Sequence, residues 1–346
     1  MSLRLDPNRK KLRGILETRS QEVLKRFSLV ATSSFSYPEL TSILHSVDTR
    51  WREITRPALI SLSCEAVGGQ PSITDDASLM ITLIAAGMAV HDDIVDQSKD
   101  KHLRETILGS YGLSKTLLVG DLLIIKGLTT ARNFLESAYS AEKKRALFEV
   151  LQNFLFEIYE GELMDNACVE RIDTELEDYT KIMWKLTADI EACTRMGAIL
   201  GGGSENEIQA LAEFGRRLCF VTKLGDELKD SLNREGSLSH RLKYESVPLP
   251  ILYAAKSSKD AFLEIESILK RKAVTPDRIR RICWKTHAVT YVYNMAKQNA
   301  TEATQKLQSL SPSTARDVLT LMLKVSLTYI RRECNLEKRY VECASS

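Results

Sequence analysis

The chain has 346 residues, of which 44% are hydrophobic and 27% charged, with a net charge of +2. So balanced a charge argues against nucleic-acid binding through bulk electrostatics, and seven scattered cysteines without a CxxC pair signal neither a disulfide framework nor a zinc site. The opening MSLRLDPNRKK has no apolar core for a secretory signal, and the longest mostly apolar run, residues 81–90, is about half of the ~20 residues that cross a bilayer. The expectation is a soluble, cytoplasmic protein with at most peripheral membrane contact.

Proline punctuates the chain early, at positions 7, 38, 57 and 71, and then is absent until Pro248. A span that long without proline suits long helices, because an interior proline costs ~3 kcal/mol. No segment carries a convincing strand alternation. In chain order, helices are predicted over residues 9–27, 37–46, 57–67 (stopped by Gly68-Gly69), 75–96, 113–140, 141–167 and 175–200. After the break at Gly201-Gly202-Gly203 they continue over 205–230, 247–257, 259–272, 275–309 and 313–334. The prediction is a single all-α domain over 1–346, with ten or more helices around one large core.

Two acidic sets stand out. Asp92, Asp93 and Asp96 follow the apolar run of the 75–96 helix, and Asp226, Glu227 and Asp230 repeat the spacing at the end of the 205–230 helix. Residues four apart lie on one helical face, with Cβ atoms about 5–6 Å apart. A helix C-terminus is a poor place for bare anions, because the dipole there is already negative. Divalent cations resolve the conflict. Mg²⁺ takes hard oxygen ligands and completes its shell with water and phosphate oxygens, so two facing clusters of this kind would hold several Mg²⁺ around one diphosphate.

At this point the sequence resembles the trans-isoprenyl diphosphate synthases, the polyprenyl synthetase family, over residues 52–255. Asp92-Asp93-Ile94-Val95-Asp96, preceded by His91, resembles the family's first DDxxD motif, and Asp226-Glu227-Leu228-Lys229-Asp230 its second, with Glu for the middle Asp. Tyr111-Gly112, Gly120-Asp121-Leu122-Leu123 and Glu160-Gly161-Glu162-Leu163-Met164-Asp165 fall at the family's spacing, and Lys185 matches the lysine that meets the allylic diphosphate. The resemblance implies the class I isoprenoid synthase fold and a homodimer. It implies Mg²⁺, three ions per active site, held by Asp92, Asp93, Asp96, Asp226, Glu227 and Asp230. Metal-assisted departure of diphosphate from an allylic isoprenyl chain would leave a carbocation for an acceptor to capture, with Asp92, Asp93, Asp96, Lys185 and Asp226 as the catalytic group.

The departures from the family gather around the second substrate. The usual arginine pair after the first motif is Lys101 and His102. In the glycine-lysine-x-x-arginine segment the arginine is Arg56, but the lysine position holds Glu53. A polar position before the first motif is Ala85, the glutamine before the second is Lys223, and a lysine near the later proline segment is Ser246. A histidine replaces an arginine fork poorly, so isopentenyl diphosphate is expected to bind weakly unless Arg52, Arg104 or the basic Arg331-Arg332 compensate. Three readings follow: prenyl transfer to isopentenyl diphosphate or a non-standard acceptor, a class I terpene synthase that needs no second diphosphate, and a weakly active subunit of a heteromeric synthase. Gly87 and Met88 lie about 6–7.5 Å up the helix from Asp92. The resemblance makes this the floor of a prenyl pocket, here without bulky aromatics and open to chains of farnesyl or geranylgeranyl size. His91 is expected as a supporting polar residue.

Overall fold

The computed structural model describes residues 6–101, 104–136, 139–270 and 275–344. The all-α expectation is met. α1 (Pro7–Thr32) starts where the Asp6 carboxylate accepts the Asn8 N–H at 3.0 Å, with proline in its first turn. α2 (Pro38–Arg50) and α3 (Thr55–Ala66) follow, and α3 stops before Gly68, whose φ of 88° only glycine adopts readily. A 3-10 turn (Pro71–Thr74) leads into α4 (Asp75–Val95), which opens on two aspartates and closes on the first acidic set. Next come a two-residue antiparallel hairpin, β1 (Asp100–Lys101) and β2 (Arg104–Glu105), then α5 (Ile107–Tyr111), α6 (Leu113–Glu136) and α7 (Ala141–Asn166). The remainder is α8 (Leu176–Lys185), α9 (Ala188–Gly201), α10 (Glu205–Ser231), α11 (Leu238–Tyr244), α12 (Leu249–Ser257), α13 (Lys259–Lys270), α14 (Pro276–Lys285), α15 (Ala288–Gln308) and α16 (Thr314–Ala344).

Two predicted helices are each divided. The 175–200 stretch breaks after Lys185, where the Thr187 hydroxyl and N–H both donate to the Trp184 carbonyl. The 275–309 stretch breaks at Thr286-His287, with His287 at φ 59°. Apolar spacing runs through both breaks, so periodicity alone does not reveal them. The sequence reading also assigned nothing to the stretch that forms α11.

Contacts group the chain into two compact units: Met1–Asn153 with Ile190–Gly215 and Leu307–Leu321, and Phe154–Asp189 with Arg216–Lys306 and Met322–Ser346. In the first, α4 is the core helix. Leu79, Ile81, Leu83, Ile84 and Ala86 are buried, and α1, α3 and α6 pack around them. The apolar stretch is longer than the ten-residue run suggested: Pro71–Val95 is long and apolar enough to cross a membrane, but 72% of its apolar window is buried inside the protein, as a core helix should be. In the second unit, α12 packs on α8, α13 and α14, with Leu249, Ile251 and Leu252 buried.

α4 and α6 approach at Gly87 and Gly120. A Cβ on Gly87 would lie 2.6 Å from the Gly120 carbonyl oxygen, and one on Gly120 would lie 2.3 Å from the His91 ring. Backbone cannot yield as a flexible side chain can, so overpacking here costs ~1–3 kcal/mol, more than the ~1 kcal/mol of helix propensity that alanine gains over glycine. Gly87→Ala is therefore expected to lower the thermal midpoint, read by circular dichroism.

Candidate active site

The last turn of α4 carries Asp92 and Asp93, and Asp96 is its C-cap residue. The Lys101 ammonium on β1 returns onto all three, 3.0 Å from Asp92 Oδ2, 3.0 Å from Asp93 Oδ1 and 3.7 Å from Asp96 Oδ2. Burial opposes the charge on Lys101, but the three carboxylates more than offset it and hold the ammonium above its ordinary value. Burial also raises the Asp93 carboxyl, against the pull of Lys101. The hairpin is held by Arg50, which donates to the Glu105 and Thr106 carbonyls (2.9 and 3.0 Å) and to the Ser110 hydroxyl (3.0 Å). The Thr106 hydroxyl donates to the Ser98 carbonyl at 2.6 Å. His91 supports the α4–α6 contact, with Nε2 3.2 Å from the Leu117 carbonyl oxygen and 3.3 Å from Asp121 Oδ1.

Beside this cluster lies a cavity of about 590 Å³. Asp92, Asp93, Lys101 and Arg104 form its polar rim, and Trp51, Ala86, Ala89 and Val90 its apolar wall. That volume is in the range of small-molecule sites. Gly87 itself faces α6, so at this position the floor expected from the sequence is a helix-packing contact, and the small residues that border the cavity are Ala86 and Ala89. Met88 is half-buried next to them in the chain.

The second acidic set sits in the last turns of α10 and its three carboxylates diverge in environment. The Asp226 side chain is 60% exposed and pairs with Lys229 at 3.2 Å. Asp230 accepts from the Ser237 hydroxyl at 3.0 Å and from Arg241 Nη1 at 3.4 Å. Glu227 is buried. It accepts from the Leu249 N–H at 2.6 Å, from Arg241 Nη2 at 2.9 Å and from the Tyr179 hydroxyl at 3.2 Å. Glu227, expected among the metal ligands, is met here by protein donors, because its position on the helix turns it inward while Asp226 faces out. Burial raises the Glu227 carboxyl, against Arg241 and the Leu249 N–H. Burial opposes the Arg241 charge as well, but Glu227, Glu245 and Asp230 hold it above its ordinary value.

The other expected site residues are also engaged. Lys185, at the end of α8, donates to Glu160 at 2.8 Å. Burial disfavours the charge on half-buried Lys223, but Cys219, then Asp189, Glu162 and Asp165, more than offset it and hold the ammonium above its ordinary value. Glu53 is engaged within the protein. One of its oxygens caps α3 through the Thr55 and Arg56 N–H groups (2.5 and 3.1 Å), and the other accepts from Arg56 Nη1 at 2.5 Å. Arg56 is thereby paired with a carboxylate. His102 lies outside the described residues. Sequence reasoning missed Arg241 and Trp51; Arg241 sits on a seven-residue helix with no periodicity to announce it.

The pattern described as Polyprenyl synthetase matches residues 50–285. The chain belongs to the polyprenyl synthetase family. It is similar to the short chain isoprenyl diphosphate synthase of Methanothermobacter thermautotrophicus, 29% identical over 276 residues, covering 77% of this chain and 83% of that protein. It is also similar to the geranylgeranyl diphosphate synthase of Sulfolobus acidocaldarius, at 23% identity, with 79% and 85% covered. Its fold matches the crystal structure of a decaprenyl diphosphate synthase from Rhodobacter capsulatus, with a TM-score of 0.81 and 19% identity over 94% of this chain and 99% of that one. As a polyprenyl synthetase, the protein is a prenyltransferase of all-α isoprenoid synthase fold.

Among the described residues no group of three or more His, Cys, Asp or Glu side chains forms a preformed metal cage. Mg²⁺ needs none, since it binds through one or two carboxylates and fills its shell with water and phosphate oxygens. The three aspartates that converge on the Lys101 ammonium fit such an ion, with the ammonium standing where a metal would compete. Removing this resident cation should favour a divalent one. Lys101→Gln is expected to raise Mn²⁺ affinity about fivefold, the equivalent of ~1 kcal/mol for a partly exposed pair, read by loss of the free-Mn²⁺ paramagnetic resonance signal.

Proposed function

We propose that this polyprenyl synthetase is a Mg²⁺-dependent prenyltransferase that ionises a long allylic isoprenyl diphosphate and transfers the prenyl group to isopentenyl diphosphate, which it binds weakly. The observation that carries the reading is the gathering of Asp92, Asp93 and Asp96 on one cationic point at the rim of an apolar-walled cavity. Asp92, Asp93 and Asp96, and in the second set Asp226 and Asp230, would hold Mg²⁺; when bound, the metal neutralises the departing diphosphate as a Lewis acid. Lys101 and Arg104 can turn to phosphate oxygens as fixed charge, and Lys185 can release Glu160 for the same purpose. Trp51, Ala86, Ala89 and Val90 keep water from the cation left on the prenyl chain, and the small side chains of Ala86 and Ala89 suit a substrate of farnesyl or geranylgeranyl length.

The weak acceptor binding follows from the Glu53–Arg56 pair. A guanidinium already satisfied by a carboxylate offers less to a second diphosphate, and a charged hydrogen bond is worth ~1.5–3 kcal/mol. Incubation with Mg²⁺ and farnesyl or geranylgeranyl diphosphate should give a longer diphosphate only when isopentenyl diphosphate is added. Glu53→Gln should lower KM for isopentenyl diphosphate about tenfold. Hydrocarbon or alcohol released without isopentenyl diphosphate would sink this reading in favour of a terpene synthase. The relatives are named for isoprenyl diphosphate synthesis, which favours transfer.

The partner we infer is a second copy of the chain. α6 exposes Leu117, Leu118, Ile125 and Leu128 at helical spacing, and α7 exposes Phe148, Phe156 and Leu163. Apolar stripes of this kind mark association surfaces, and a two-fold axis lets one stripe meet its own copy. Light scattering should give a dimer, and Leu118→Glu with Phe156→Glu a monomer.

A further inference from the structure

The second acidic set contains a device outside the family pattern. The sequence lacks a lysine at Ser246, and the structure brings a cation to that spot from elsewhere. Arg241 on α11 reaches back so that its Nε donates to the Ser246 carbonyl at 3.1 Å and its Nη2 lies 3.5 Å from the Ser246 hydroxyl. Ser246 is itself pinned by an antiparallel bridge to Val169 and by the Tyr179 hydroxyl at 3.1 Å. From this anchor the guanidinium forks, with Nη2 to Glu227 at 2.9 Å and Nη1 to Asp230 at 3.4 Å and Glu245 at 3.0 Å. Both oxygens of Glu227 are occupied, by Arg241, Tyr179 and the Leu249 N–H, and the residue is 6% exposed.

We propose that Arg241 is the positioning residue of the second acidic set: it satisfies the buried Glu227 in place of a metal ion and orients Asp230, leaving Asp226 and Asp230 as the ligands. This rests on the reading of that set as a Mg²⁺ site. A planar fork can bridge two carboxylates at fixed angles, and a lysine of the same charge cannot. Groups that orient metal ligands from behind typically matter 10–100-fold in metal affinity.

The experiment titrates the full-length protein with Mn²⁺ and inorganic pyrophosphate, following free Mn²⁺ by paramagnetic resonance, alongside thermal unfolding. Arg241→Lys is expected to weaken Mn²⁺ binding about tenfold at a temperature where both proteins are folded, whatever fall in thermal midpoint the loosened network brings. A merely structural arginine would lower the midpoint and leave the Mn²⁺ affinity unchanged, and parent-like affinity in this variant overturns the proposal. Glu227→Gln is nearly isosteric and should bind the same number of Mn²⁺ ions; loss of one ion would make Glu227 a ligand and overturn it even if Arg241→Lys fails to fold. Asp226→Asn separates the two levels. If it binds Mn²⁺ as the parent does, the metal reading of this set has failed; if it loses an ion while Arg241→Lys loses nothing, only the role of Arg241 has failed.

Discussion

Carboxylates crowd the C-terminal ends of two helices, where the backbone dipole is already negative, and this charge must be answered. The protein answers it differently in each place. At the end of α4, a lysine on a two-residue hairpin strand sits among three aspartates, 41% exposed and on a flexible stem. At the end of α10, an arginine from α11 is locked by five hydrogen bonds to four residues, Ser246, Asp230, Tyr179 and Glu227. The first cation is held by a reach that another ion can contest. The second is part of the framework.

The surroundings follow from that difference. Around α4 the supporting contacts fix backbone: Arg50 binds carbonyls of the hairpin and α5, Thr106 ties the hairpin base, and His91 and Gly120 set the α4–α6 spacing. The lysine can leave without disturbing them. Around α10 the supporting contacts fix side chains, and Tyr179, Glu227, Ser246 and Arg241 satisfy one another in the interior. Breaking one member of such a network leaves buried polar atoms unpaired, which costs more than the bond itself. The same accounting explains Glu53, whose carboxylate serves a helix start and one arginine at once.

The helical class, the long helices and the two acidic sets were legible because they depend on local properties: proline absence, apolar periodicity and a four-residue spacing that places side chains on one face. The polyprenyl synthetase motifs were legible for the same reason, each being a short run whose chemistry travels with it. The breaks after Lys185 and at Thr286-His287 were not, because a tightened last turn bonded by a threonine looks like continuing helix in the sequence.

What the sequence by itself determined is the inventory: six carboxylates in two sets, Lys185 at its place, and Glu53 and Lys101 where they stand. What only the tertiary structure decided is which of those groups remain available. Glu227 and Asp226 are neighbours in the chain, yet one is buried under Tyr179 and Arg241 and the other faces solvent; Gly87 belongs to a helix contact and Ala86 to a cavity. A helix turns 100° per residue, so adjacent positions meet different neighbours, and those neighbours come from segments far along the chain.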